Sequence, residues 1–212
     1  MTDPQILIAT LFAAFLYVVL PGPAFLALFT LTASRGRRPG AMFISGHLVG
    51  DVTWGALAVA AIVGANKLGP ALFQALGFAC GVYLVYLGVR ALMTRKGVPA
   101  RTIGSSRPLV TGMAFGLTNP KSYPVALAVF SAVVAPHIAT LRVADAPQML
   151  VAAFMGFLLA DVVLIFAAGL PLVRRFFLRH GVAVTRIVGA IFVLFGARSI
   201  LDAVDDVTRK AA

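Results

Sequence analysis

A few polar side chains in this chain lie where apolar ones would be expected. Asp51 closes the run FISGHLVG, Asp161 closes FMGFLLA, and Asn119 and Lys121 stand in GLTNPKSYP between MAF and VALAVF. At the depth of a bilayer each charge would cost about 2.5–3.5 kcal/mol on insertion scales, so such groups persist when they are paired, neutralised or used. One lysine can neutralise one of the two aspartates. The other carboxyl must hold a proton or meet a mobile cation, which makes Asp51 and Asp161 candidates for proton coupling or for binding an ammonium group. Residue types alone do not choose between them. An ion pair of Lys121 with one aspartate that only fixes packing is the plainer reading. His47 lies one helical turn before Asp51 on the same face, and reads first as a hydrogen-bonded packing histidine, with a proton relay or a metal pair as the other reading.

Two further features accompany these charges. PGP at 21–23 and NPK at 119–121 each interrupt an apolar run near its middle. Proline lacks the backbone N–H and clashes with the carbonyl four residues back, so a helix opens there. The freed groups cannot face lipid and must line protein or a wet cavity. A half-helix starting after such a break presents the positive end of its dipole to an anion. Pro21, Gly22, Pro23, Asn119, Pro120 and Lys121 are therefore the candidate substrate-binding residues. The half-helix starts near Ala24 and Ser122, with Lys121, suit a carboxylate, and Asp51 or Asp161 suits an ammonium. A simple kink with no ligand is the alternative reading of PGP.

The elements that must position these residues are membrane helices. The chain has 212 residues, 60% hydrophobic and 12% charged, with a mean hydropathy of +0.97, well outside the range of a soluble domain. Six apolar stretches, at about 5–33, 41–65, 70–93, 109–135, 147–170 and 183–204, are each long enough to span a hydrocarbon core of about 30 Å. They do not alternate in polarity as barrel strands do, so the fold class is an all-α integral membrane protein. The net charge of +11 falls on linkers without aromatic interleaving, which argues against a nucleic-acid partner. A single cysteine excludes an internal disulfide and a cysteine metal cluster, and no cofactor is expected. The first stretch lacks the flanks of a cleaved signal and reads as a retained span.

Most Lys and Arg residues lie in SRGRRPG, TRKGVPARTIGSSRP and RRFFLRHGVAVTR, alternate linkers of the chain. The positive-inside rule puts these in the cytoplasm and both termini outside it. The stretch GVYLVYLGVR, from Gly81, is echoed by GAIFVLFGAR, from Gly189. GHLVGDV, from Gly46, is echoed at nearly the same offset by GFLLADV, from Gly156. With PGP and NPK as the third match, the chain reads as one membrane domain, 1–212, built of repeats at about 1–100 and 101–212. Three spans per half force the second copy to enter inverted, giving a 3+3 inverted repeat of six helices with the first and fourth broken.

PGPAFLALFTLTASRGRRPGAMFISGHLVGDVTW, residues 21–54, and GMAFGLTNPKSYPVALAVF, residues 112–130, resemble the two signatures of the LysE/RhtB family of amino-acid exporters. The matching positions are Pro21, Gly22, Pro23, Gly36, Gly40, Gly46, Gly50, Asp51, Asn119, Pro120 and Lys121. The resemblance extends over essentially the whole chain. It implies secondary active export of amino acids or close derivatives, coupled to protons, across the bacterial inner membrane. The chain departs from the pattern in following NPK with Ser122-Tyr123-Pro124. The partners expected are an amino acid, a proton and the lipid bilayer, and a homodimer is one assembly left open. The alternative is a divalent-metal exporter of similar size, for which two carboxylates and Asn119 offer few ligands and Lys121 an unwelcome charge. An enzyme is not expected, since the spans hold no nucleophile and base pair or histidine-rich metal set.

Overall fold

The computed structural model describes residues 2–68, 70–94, 106–119 and 122–211, and these residues contain no strand. Eight α-helices follow one another: α1 (Pro4–Val19), α2 (Pro23–Arg35), α3 (Arg37–Leu68), α4 (Pro70–Leu92), α5 (Pro108–Thr118), α6 (Ser122–Val134), α7 (Ala146–Gly169) and α8 (Pro171–Ala211). Two short 3-10 turns, Ala135–Thr140 and Val143–Asp145, join α6 to α7.

Proline punctuates this order. It opens α1, α2, α4, α5 and α8, where the first backbone N–H of a helix has no partner to lose and a φ near −65° is already helical. Asp3 caps α1 by accepting from the Gln5 backbone N–H at 2.9 Å. Before α7, the Asp145 carboxylate accepts from the Arg142 backbone N–H at 2.9 Å, while the Thr2 hydroxyl donates to Asp145 at 2.8 Å and holds the start of the chain there. Between α2 and α3 there is one residue, Gly36, with φ 94° and ψ 174°. That region of backbone space is open essentially to glycine alone.

Three helices contain segments long and apolar enough to cross a membrane, at Arg37–Gly64, Val143–Gly169 and Arg179–Val204. A fourth crossing arises if α1 and α2, which meet at 58°, count as one bent span. Gly77–Leu92, Pro108–Thr118 and Ser122–Val134 are shorter apolar helical segments. All six predicted stretches are helical, and those around PGP and NPK each comprise two helices. The basic segment RRFFLRHGVAVTR is helix rather than linker: α8 starts at Pro171, one residue after α7, because nothing between Pro171 and the apolar run stops a helix once it has begun.

Lipid tails are as apolar as leucine, so helices in a membrane associate through close packing more than through hydrophobic burial. Glycine provides it here along two seams. Where α3 crosses α5, a Cβ on Gly46 would fall 2.0 Å from the Leu109 carbonyl oxygen, and one on Gly112 would fall 1.9 Å from that of Phe43. Where α4 crosses α8, Gly81 and Gly88 face Gly196 and Gly189, each with its missing Cβ within 2.8 Å of the opposing glycine's carbonyl oxygen. Both seams put the backbones in direct contact. Gly77, one turn before Gly81, makes only ordinary contact with Ser199. Elsewhere α1, α6 and α7 pack through buried rings, with Phe157 meeting Tyr17 at 5.9 Å and Phe130 at 6.3 Å between centroids.

Candidate functional site

The two helix breaks meet at one cavity. It is lined by Tyr17, Val18 and Leu20 at the end of α1, Ala24 and Phe25 at the start of α2, and Ile44, His47 and Asp51 on α3. Asn119 after α5, Ser122 at the start of α6 and Leu164 on α7 complete it. A water centre can occupy about 30 Å³ of it, room for about two waters. Ile44, His47 and Asp51 share one face because three and four residues make one turn of helix. The α3–α5 glycine seam brings the end of α5 to α3: Gly50 lies against Gly116, and Asn119, one turn later, lines the same cavity as Asp51.

The polar lining residues are Tyr17, His47, Asp51, Asn119 and Ser122. Asp51 is 1% exposed and His47 6%. The His47 Nδ1–H donates to the Asp51 Oδ2 at 2.9 Å, an assignment that follows from the carboxylate's having no proton to give in its charged form. The Tyr17 hydroxyl interacts with both the Asp51 carboxylate and the Ser122 hydroxyl. Buried polar atoms ordinarily find partners. The Nε2 of His47 has none among the described residues. Val18, Leu20, Phe25, Ile44 and Leu164 supply the apolar part of the lining.

The break in the α5–α6 segment is stabilised from α3. In a regular helix the Gly116 carbonyl would accept from the N–H of residue 120. Residue 120 is proline and has no such donor. The indole N–H of Trp54, one turn beyond Asp51, donates to this carbonyl at 3.0 Å. Trp54 also lies 6.2 Å from the Tyr123 ring on α6. It therefore reaches both sides of the break.

Of the residues singled out in the sequence, the structure brings Asp51 and Asn119 into one cavity. Pro21 and Gly22 form the break between α1 and α2, flanked by the lining residues Leu20 and Ala24, and Pro23 is the first residue of α2. Pro120 and Lys121 lie outside the described residues. Asp161 is buried on α7, one turn before the lining residue Leu164, and its Oδ1 has no hydrogen-bond partner among the described residues. It is close enough to Asp51 for the two charges to interact. Arg198 pairs with Asp202 at 3.3 Å on the exposed face of α8, as their spacing predicts. Tyr17 and the apolar lining escaped the sequence reading. A tyrosine one turn before PGP was the available signal for the first.

Set beside known proteins, the chain matches the LysE type translocator family over residues 15–203. Leucine efflux proteins of Salmonella choleraesuis and Salmonella typhimurium are 30% identical to it over 135 residues, 60% of this chain and 64% of theirs. The match thus spans less than two thirds of those relatives. An uncharacterized membrane protein of Pseudomonas aeruginosa is 27% identical over 197 residues, 85% of this chain and 88% of its own. No solved structure matches the chain.

Proposed function

The chain belongs to the LysE type translocator family, and on that premise we propose that it exports a neutral amino acid with an apolar side chain from the cytoplasm in exchange for protons. It is a multi-pass membrane transporter and not an enzyme. The observation that carries the substrate reading is the mixed lining of the cavity, which combines Asp51 and its polar neighbours with the apolar side chains of Val18, Leu20, Phe25, Ile44 and Leu164. A free amino acid has the matching combination. Its ammonium goes to Asp51. Its carboxylate goes to the starts of α2 and α6, where the helix dipoles favour an anion, with Lys121 adding a full charge. Its side chain goes to the apolar lining. The relatives named for leucine efflux point to the same class.

Proton antiport follows from the same carboxylate. A buried Asp51 left without a cation is costly, so on the return a proton must take the place of the ammonium beside it. Asp161, its counterpart in the second half of the sequence, is the other acidic group of the coupling. The inverted 3+3 arrangement belongs to this reading. It is supported by equivalent contacts in the two halves: Gly46 of α3 against Leu109 of α5, and Gly156 of α7 against Leu11 of α1, each a glycine set on the helix that precedes a break. Both termini then face away from the cytoplasm. Divalent-cation export has less support, since no three His, Cys, Asp or Glu side chains among the described residues come together to hold a metal.

The test is efflux of L-leucine from proteoliposomes loaded with it. Export that accelerates when the outside is made acidic, and that is lost in Asp51→Asn, supports the reading. Absence of efflux for every neutral amino acid tried, with the protein folded, overturns it.

A further inference from the structure

Asp51 already has a partner, and that partner can change its charge. The 2.9 Å contact with His47 Nδ1 is buried on both sides, and both residues line the cavity proposed to take the substrate. From this geometry we infer that the imidazolium of His47 and the ammonium of the substrate are alternative cations for one carboxylate, so that the coupled proton rides on His47 and its arrival expels the amino acid. The inference rests on the export reading above.

The reasoning is one of charge count. With His47 neutral, Asp51 keeps its negative charge and accepts one hydrogen bond, leaving lone pairs for an ammonium. When His47 takes a second proton, on the otherwise unpartnered Nε2, the pair becomes a closed ion pair. An ammonium brought beside it would leave an extra positive charge buried, which is costly. The described titratable groups packed around the pair are Tyr17 on α1 and Asp161 on α7. From α2 and α5 the neighbours are Phe25 and Phe115, and from α6 Ser122 and Tyr123. None of these supplies a second positive charge, and the count takes the Asp161 carboxyl, whose Oδ1 has no hydrogen-bond partner among the described residues to stabilise a charge, as protonated. Lys121 lies outside the described residues, and the export reading assigns it to the substrate carboxylate. The exchange balances: the amino acid binds as the imidazolium releases its Nε2 proton to water, and the reverse occurs on the acidic side. Protons therefore enter as amino acids leave, with the sign that export requires.

The experiment measures L-leucine binding to the purified full-length protein between about pH 5 and 8, the range in which imidazole exchanges protons, using fluorescence of Trp54, the chain's single tryptophan. In the parent protein affinity should fall on acidification, by up to about tenfold per pH unit where proton and leucine compete fully. In His47→Gln this dependence should be absent, whatever the affinity itself. A pH dependence that survives unchanged in His47→Gln overturns the inference and leaves amino-acid export standing. Failure of the parent protein to bind leucine or any neutral amino acid at any pH overturns both. Should His47→Gln not fold, the histidine can be read directly. With His137 and His180 replaced by glutamine, the nitrogen NMR shifts of His47 at acidic pH should change from imidazolium to neutral on adding leucine. Unchanged shifts on saturation with leucine overturn the inference.

Discussion

The indole N–H of Trp54 donates to the backbone carbonyl of Gly116 at 3.0 Å, the carbonyl whose helical partner would be the missing N–H of Pro120. A side chain on one helix thus supplies the hydrogen bond that proline removed from another. Hydrogen bonds between membrane helices average about 0.6 kcal/mol, and a buried carbonyl left unpaired costs more, about 1–3 kcal/mol. Trp54→Phe keeps the ring and removes the donor. It should lower thermal stability in detergent by about 1 kcal/mol and slow efflux, while Trp54→Tyr, which retains a donor at a different reach, should fall between. An unchanged melting temperature in Trp54→Phe would show that water replaces the indole at this carbonyl.

Asp51→Asn should abolish leucine efflux and its acceleration by external acid, because the amide can neither neutralise an ammonium nor exchange a proton. Asp161 is buried but is not among the lining residues, so Asp161→Asn, which preserves shape and removes the ionisable group, should slow efflux severalfold without abolishing it. Transport assays on reconstituted protein check both. Normal efflux with both aspartates replaced would remove them from the coupling altogether.

Lys121→Met should weaken leucine affinity by about tenfold or more, the loss expected when a charge-assisted contact to a carboxylate is removed. It should leave the response to pH in place. Measured affinity equal to that of the parent protein would reduce NPK to a kink without a ligand role.

Two glycine substitutions should have opposite signs. In Gly112→Ala the new methyl would lie 1.9 Å from the Phe43 carbonyl oxygen, and since backbone cannot yield as a side chain does, α3 and α5 must separate, costing about 1–3 kcal/mol. Around Gly181 on α8 there is open space, and Gly181→Ala should stabilise the helix by up to about 1 kcal/mol. Thermal melts of the two variants in one detergent compare them directly.

The elements were readable because their causes are local. Runs of apolar residues, prolines without N–H groups and a glycine between Arg35 and Arg37 act on the backbone within a few positions, and the two helix breaks stand where PGP and NPK place them. The glycines of GVYLVYLGVR and GAIFVLFGAR stood out as a repeat, but their direct meeting across α4 and α8 needed the crossing of two distant helices to be known. The basic run before the last span was misjudged for a related reason, since arginine marks a boundary of the bilayer and not of a helix. The site was half visible. Asp51 and Asn119 stood out by charge and polarity in apolar sequence, and the spacing of His47 allowed the pair that the structure contains. Tyr17 and the apolar lining owe their roles to the angle at which α1 meets α2, and no residue type reports that angle.

Gly36 is the whole connection between α2 and α3, and a joint of one residue has no slack. Any swing of α2 that widens the gap at PGP must be taken up by rotation about the two backbone torsions of that glycine or passed to α3, the helix that holds His47 and Asp51. The segment after NPK has no such short lever, since the two 3-10 turns, Leu141 and Arg142 lie between α6 and α7. The helix breaks at PGP and NPK are thus geared differently to the helices that follow them, and a movement at one need not mirror a movement at the other.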